Sequence, residues 1–186
     1  MVSYLKRSWV NPQLRPGKSR IHGDGVFAEA PIRAGAIVMD FGGELATADM
    51  LGDYREPSVW AVKGGLYLAL RNTDTEESLD EYLNHSCDAN TWLEGETKLV
   101  ARRDIAAGEE VTLDQGTWNF DEAEYADDGT TCTCDAVCCR GVLTNNDWQR
   151  TDVQAHYRGH FHPLVQAMID AGESAPHDVS AHRSAN

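Results

Sequence analysis

The sequence predicts a mainly β fold of several small sheets, closed at its carboxy-terminal end by short helices. Three observations predict it. Short apolar clusters rich in Val and Ile recur through the body of the chain, Gly and Pro punctuate them at close intervals, and helical spacing emerges only between residues 148 and 171. A chain of 186 residues with 41% hydrophobic side chains can bury one core and leaves little room for a second, which predicts one domain.

Taken in order, residues 21–38 (IHGDGVFAEAPIRAGAIV) read as short strands joined by turns. Further strands are expected over residues 65–70 (GLYLAL), 97–101 (TKLVA) and 110–113 (EVTL). Residues 121–131 (DEAEYADDGTT) are acidic and read as a solvated loop. The helical spacing of residues 148–171 is broken at Gly159 and Pro163, so one or two short helices are expected there. Beyond Gly172 the segment ESAPHDVSAHRSAN has no large apolar side chains to offset the entropy of ordering, and reads as a loose tail.

Charge and composition narrow the function. Thirty acidic side chains against sixteen basic ones give a net charge of −14, which repels a polyanion and argues against nucleic acid as a direct ligand. The same field attracts a cationic, lysine-rich protein segment, although acidic excess also serves solubility alone. No apolar run approaches the length that crosses a bilayer, and the opening residues MVSYLKRSWVNP lack the apolar core of a secretory signal, so a cytoplasmic or, in a eukaryote, nuclear protein is expected. Five cysteines are an odd number, and Cys132, Cys134, Cys138 and Cys139 crowd into one stretch. This favours metal ligation in a reducing compartment over a disulfide framework.

Four segments carry the chemistry. They are His22-Gly23-Asp24-Gly25-Val26-Phe27-Ala28; Tyr82-Leu83-Asn84-His85-Ser86-Cys87-Asp88-Ala89-Asn90; Ala101 to Ile105 leading into Gly108-Glu109-Glu110-Val111-Thr112-Leu113-Asp114; and Cys132-Thr133-Cys134 through Cys139-Arg140-Gly141. In this order and spacing the set resembles the SET-domain protein-lysine methyltransferases, the fourth segment resembling their post-SET zinc motif. The resemblance implies a SET domain over residues 19–116, a linker and post-SET motif over 117–147, a helical extension over 148–171 and the tail over 172–186. It also implies a knot-like threading that brings the Asn84 segment to the strand end at Asp114, an exception to the rule that chains avoid threading.

The resemblance assigns S-adenosylmethionine to the glycine turn, with His22, Gly23, Asp24, Gly25 and Phe27 at the cofactor. Glycines there permit a sharp turn and a close main-chain approach that a Cβ at Gly25 would obstruct, although the pattern taken alone favours a hairpin turn without a ligand, and the later segments reverse that preference. Asn84 and His85 would meet the cofactor through main-chain and Asn side-chain contacts, while Asp88 and Asn90 suit turn capping. Zinc requires four ligands in a tetrahedron; Cys132, Cys134 and Cys139 supply three and Cys87 can supply the fourth, giving a structural site with no open position. The resemblance prefers Cys139 because it precedes Arg140-Gly141, and sequence leaves an exchange with Cys138 open. His156, His160 and His162 lack acidic or Cys partners and read as surface or packing residues, and Trp148 reads as packing the helix in preference to covering the cofactor's adenine.

One position departs from the family pattern. Asp114 is followed by Gln115 where relatives carry tyrosine, and Phe41 stands at another position that is often tyrosine. Gln115 can still donate and accept hydrogen bonds, and Tyr67 or Tyr82 are candidates to compensate. Trp60, Phe41 and Trp118 are candidates to line a channel for the lysine stem, where low dielectric would lower the amine pKa. The expected activity is methyl transfer to a lysine ε-amine of a basic protein, slowed by Gln115. The alternative is a non-catalytic cofactor- or peptide-binding module that retains the zinc.

Overall fold

The computed structural model describes residues 3–74, 76, 78–119 and 129–172. Turns at Gly and Pro cut the body into the strands β1 (Trp9–Val10), β2 (Leu14–Lys18), β3 (Asp24–Ala28), β4 (Ile37–Asp40), β5 (Glu44–Thr47), β6 (Tyr54–Val62), β7 (Leu66–Arg71), β8 (Asn84–His85), β9 (Thr91–Glu94), β10 (Lys98–Ala101) and β11 (Glu110–Leu113). After them come β12 (Thr130–Thr131), β13 (Val142–Leu143) and the helices α1 (Thr151–His156) and α2 (Pro163–Ala171). The strands form small sheets in the orders β1-β4-β10-β9, β2-β3-β11-β8, β5-β7-β6 and β12-β13. This is the mainly β arrangement of small sheets with short carboxy-terminal helices that the sequence predicts. No helix among the described residues is long and apolar enough to cross a membrane.

The strands bury Val26, Val38, Met39, Leu68, Leu93, Leu99 and Val111 in one core, and β4, with the consecutive Val38 and Met39 both buried, is covered on both faces. A second cluster joins Trp148, Val153, Tyr157, Phe161 and Val165 to Ala89, so the helical extension packs onto the loop after β8. Trp148 is a packing residue there. The buried Tyr157 hydroxyl accepts the Ala89 N–H at 3.1 Å, which fixes that loop from the carboxy-terminal side.

Several elements differ from expectation for identifiable reasons. Pro163 does not interrupt a helix but opens α2 at its first position, where the missing N–H is not needed, and Gly159 makes the preceding turn at φ +81°. β2, over residues where no strand is expected, contains Pro16 and Gly17 and is an edge strand, where proline is tolerated. A Cβ on Gly17 would lie 2.9 Å from the Phe27 ring packed across the strand pair. Thr130 and Thr131, expected in the acidic loop, form β12; residues 121–128 of that stretch and the tail beyond Gly172 lie outside the described residues.

Asn90 is not a turn cap. It is 2% exposed, its Nδ2 donates to the Glu110 carbonyl at 2.7 Å and its Oδ1 accepts the Thr112 N–H at 2.9 Å, so one amide serves the β11 main chain as a neighbouring strand would. Asp88 is exposed and pairs with Arg102 and His156.

His162 precedes α2, and its Nδ1 accepts the Leu164 N–H at 3.3 Å, while burial pushes its pKa down to about 4. The folded pKa is below the unfolded value near 6.5, so the unfolded chain takes the proton first. Stability from this neutral histidine is present above pH 6.5 and is lost as pH falls from there towards 4; His85, also near 4 through burial, has the same sign. His162→Asn retains a capping oxygen without the titration. Urea titrations at pH 7.5 and 4.5 should show the wild type losing on the order of 2–3 kcal/mol more than the variant.

Candidate functional site

β11 is the centre of the site. It pairs antiparallel with β3 and parallel with β8, Thr112 facing Asn84 and Leu113 facing His85. The strand end at Asp114 therefore lies beside the Asn84-His85 block, as the motif order implies. From there the chain enters a single turn over Gln115–Thr117, capped by the Asp114 carboxylate, whose Oδ1 accepts the Gly116 N–H at 2.9 Å.

The glycine turn is tied to the same place. Asn84 Nδ2 donates to the carbonyls of His22 at 3.1 Å and Asp24 at 3.0 Å, and to Glu110 Oε1 at 2.8 Å. Glu110 Oε2 accepts from Ser19 Oγ at 2.9 Å, so the carboxylate bridges β11 to the start of the turn. Gly23 holds a positive φ of 49° in an exposed position, next to exposed His22 and Asp24. Phe27 follows two residues after Gly25 on the same strand face, half-buried.

The role of Gly25 is corrected by these contacts. A Cβ there would meet Glu110 Oε1 at 2.3 Å and Asn84 Nδ2 at 3.1 Å, so the space it leaves is occupied by the protein's own hydrogen-bonded pair and not reserved for a ligand. Its backbone lies outside the positive-φ set; only Gly23 in this turn needs that freedom.

His85 is 7% exposed, and its two ring nitrogens have different duties. Nδ1 lies 3.1 Å from the Gln115 N–H and must accept it; burial holds the ring neutral, with a pKa down to about 4. Nε2 therefore carries the proton and donates to Cys87 Sγ at 3.2 Å. The imidazole is thus turned into the protein interior, linking Cys87 to the Gln115 peptide.

All five cysteines are free, and the ligand atoms of His85, Cys87, Cys132 and Cys134 lie within 4.8 Å of one another. This cluster can hold a metal ion. Cys87 Sγ and Cys132 Sγ are 3.9 Å apart, and four thiolates about 2.3 Å from a tetrahedral zinc are roughly 3.8 Å apart. Main-chain N–H groups point at the sulfurs: Arg140 at Cys87 (3.3 Å), Cys87 at Cys134 (3.4 Å) and Gly141 at Cys139 (3.4 Å). Such donors favour thiolate. At Cys134 burial raises the pKa, but the N–H groups of Cys87 and Ala136 and the neighbouring thiols outweigh it, bringing it down to about 7; burial pushes Cys132 up to about 12.

His85 is geometrically inside the cluster, yet ligating through Nε2 would move its proton to Nδ1, against the Gln115 N–H. Cys139 contacts Cys132 and Cys134, whereas exposed Cys138 turns its Sγ to the Cys87 carbonyl at 3.5 Å. The cysteine segment also reaches the glycine turn, Thr133 Oγ1 donating to the Ile21 carbonyl at 2.7 Å.

The three channel candidates come together. Phe41 and Trp60 stack with centroids 4.0 Å apart, Trp60 and Trp118 are 5.0 Å apart, and the Trp118 main-chain N–H donates to the Gln115 carbonyl at 3.2 Å. His162 meets Trp60 edge-on at 5.9 Å, a neighbour with no sequence signal, placed by the Thr117 carbonyl that accepts its N–H at 2.8 Å. Tyr67 is not brought to this group. Trp60 faces Leu68 and Ala61 faces Tyr67 across β6 and β7, so alternation puts Tyr67 on the sheet face away from Trp60. Tyr82 is half-buried against the main core, just before β8.

Fold and site together define a small-sheet β domain whose motif segments, distant in sequence, meet at one strand end, with a cysteine-rich segment folded against it. The SET-domain profile matches residues 23–116, and the chain belongs to the SET-domain family. It is 29% identical over 169 residues to the histone-lysine N-methyltransferase ATX2 of Arabidopsis thaliana, covering 83% of this chain and 15% of that protein. It is 31% identical over 158 residues to the histone-lysine N-methyltransferase SETD1 of Drosophila melanogaster, covering 77% of this chain and 9% of that protein. The chain thus spans less than a sixth of the length of these relatives. Among solved structures, a chain of a humanized Polycomb Repressive Complex 2 mutant of Chaetomium thermophilum superposes with a TM-score of 0.44 and 26% identity, over 55% of this chain and 15% of that one.

Gly25→Ala should destabilise the fold by roughly 1–3 kcal/mol, because Glu110 must surrender its bonds to Asn84 and Ser19. Adding Glu110→Ala removes the colliding carboxylate and should recover part of the loss. Denaturant midpoints of the two variants and of Glu110→Ala alone check this; an undiminished penalty in the double variant would point to a different obstruction.

Proposed function

We propose that the chain binds S-adenosylmethionine and transfers its methyl group to the ε-amine of a lysine in a basic protein segment, such as the histones for which its relatives are named. The observation that carries this reading is that the glycine turn is tied to Asn84, the Asn84-His85 pair lies beside the Asp114-Gln115 strand end, and that end is hydrogen-bonded to Trp118 of the Phe41, Trp60 and Trp118 group. When bound, the cofactor supplies a methyl group on a positively charged sulfur.

The chain's residues have to bind, orient and exclude water. In this reading the main chain of His22, Gly23, Asp24 and Gly25, the Phe27 ring, Asn84 and the main chain of His85 hold the cofactor. The aromatic group holds the aliphatic lysine stem and, being poor in dielectric, favours the neutral amine that can attack. Gln115 stands where relatives carry tyrosine, and its amide can orient the amine. The net charge of −14 draws a cationic substrate segment towards the site. Cys87, Cys132, Cys134 and Cys139 hold a structural zinc, His85 donating to the Cys87 sulfur from outside the coordination sphere.

A specific observation favours a second reading, a binding module without turnover. Gln115 and Phe41 lack the phenol that the family pattern usually has at the first position and often at the second, and Tyr67 lies on the far sheet face. Single-turnover transfer of labelled methyl to a Lys-rich peptide separates the two. The wild type should transfer slowly, and Gln115→Tyr should be roughly ten- to a hundredfold faster with cofactor affinity little changed. Transfer by neither protein would favour the binding module.

A further inference from the structure

Arg140 follows the cysteine cluster, and its side chain is 3% exposed. Its Nη1 and Nη2 donate to the two Asp114 carboxylate oxygens, each at 2.7 Å, and its Nε donates to Asp147 Oδ2 at 2.8 Å. Asp114 is wholly buried and the Asp147 side chain is 6% exposed. One guanidinium thus bridges two carboxylates from different parts of the chain, the β11 end and the start of the helical extension. Besides Arg140, the ion pairs described for Asp114 add only the His85 ring, 3.8 Å away and held neutral by burial, so the guanidinium is its charged partner.

The Gln115 peptide is bracketed by this arrangement. On one side the Arg140 main chain donates to Cys87 Sγ, and His85 carries the contact from Cys87 to the Gln115 N–H. On the other, the Arg140 fork fixes the Asp114 carboxylate that accepts the Gly116 N–H. Without the fork the carboxylate, stranded in low dielectric, has to turn towards water and abandons Gly116.

We propose that Arg140 is a positioning residue for methyl transfer, acting through Asp114 on the turn that carries Gln115 and Trp118. The functional part rests on the methyltransferase reading; the clamp on the turn does not. Lysine cannot replace it, since an ammonium is a point charge and cannot present the planar fork to one carboxylate while reaching a second.

The test uses the whole chain with Arg140→Lys, and with the neutral network Arg140→Met, Asp114→Asn, Asp147→Asn in case the first variant does not fold. Amide hydrogen exchange is followed at Gly116 and Thr117, and kcat and KM are measured on a Lys-rich peptide. Arg140→Lys should lose protection at those two amides while strands β4 and β10 keep theirs, and the neutral network, which strands no charge but lacks the fork that fixes the side chain at position 114, should lose it at the same two amides. The kcat of the folded variant should fall at least roughly tenfold, with KM for S-adenosylmethionine within about threefold. Wild-type protection at Gly116 and Thr117 would overturn the clamp, as would a lowered melting temperature with unchanged kcat and exchange. If the wild type transfers no methyl group, the methyltransferase reading fails by itself, and the exchange data still decide the clamp.

Discussion

A carboxylate with no exposed surface must find its counter-charge inside the protein, and Asp114 finds it in Arg140. That constraint decides how the rest of the site is built. Asp114 ends β11, the strand that glycine turn, Asn84 and Asn90 all address, so the residue that neutralises it has to be delivered to the centre of the domain. Arg140 can arrive only if the cysteine segment folds back over the β8–β11 pair. The Cys87 thiol, which accepts the Arg140 N–H, sits where that return crosses β8. Through Asp147 the same guanidinium also fixes where the helical extension begins, and the extension in turn seals the loop after β8 with Tyr157.

The body of the fold offers little regular structure to do this work. Several of its strands are two to five residues long, so the sheets depend on side chains that substitute for missing strand neighbours. Asn90 does this for β11, Asn84 for the glycine turn, and Glu110 joins the turn to the strand. The polar residues of the motif segments are in this sense structural before they are chemical. Asn84 and Glu110 both serve to hold the turn that is proposed to hold the cofactor, and Gly25 is small so that they can.

Much of this was legible in the sequence where local chemistry dominates. β11 was read at its observed bounds because Val111 and Leu113 alternate with polar neighbours after Gly108, and the carboxy-terminal helices were read from spacing, with Gly159 between them. The aromatic group was legible by residue type, since Phe41, Trp60 and Trp118 have few other uses so close to the motifs. β2 and β6 were not legible, because both contain proline, which only their outer positions in the sheets accommodate. The reason for Gly25 was misread because the obstructing atoms come from Glu110, 85 positions on in the chain. Arg140 and Asp114 are 26 residues apart with no pattern linking them, so their pairing is visible only in space. His162 is hidden for the same reason.

If zinc, the cysteine segment and the proposed cofactor site form one unit, each must depend on the others. The most direct measurement is calorimetric titration of S-adenosylmethionine into the zinc-loaded protein, into the same protein after chelation, and again after zinc is restored. The structure-based expectation is saturable binding that weakens at least roughly tenfold on chelation and returns with zinc. Equal affinity with and without the metal, or no binding to the zinc-loaded protein, would contradict it.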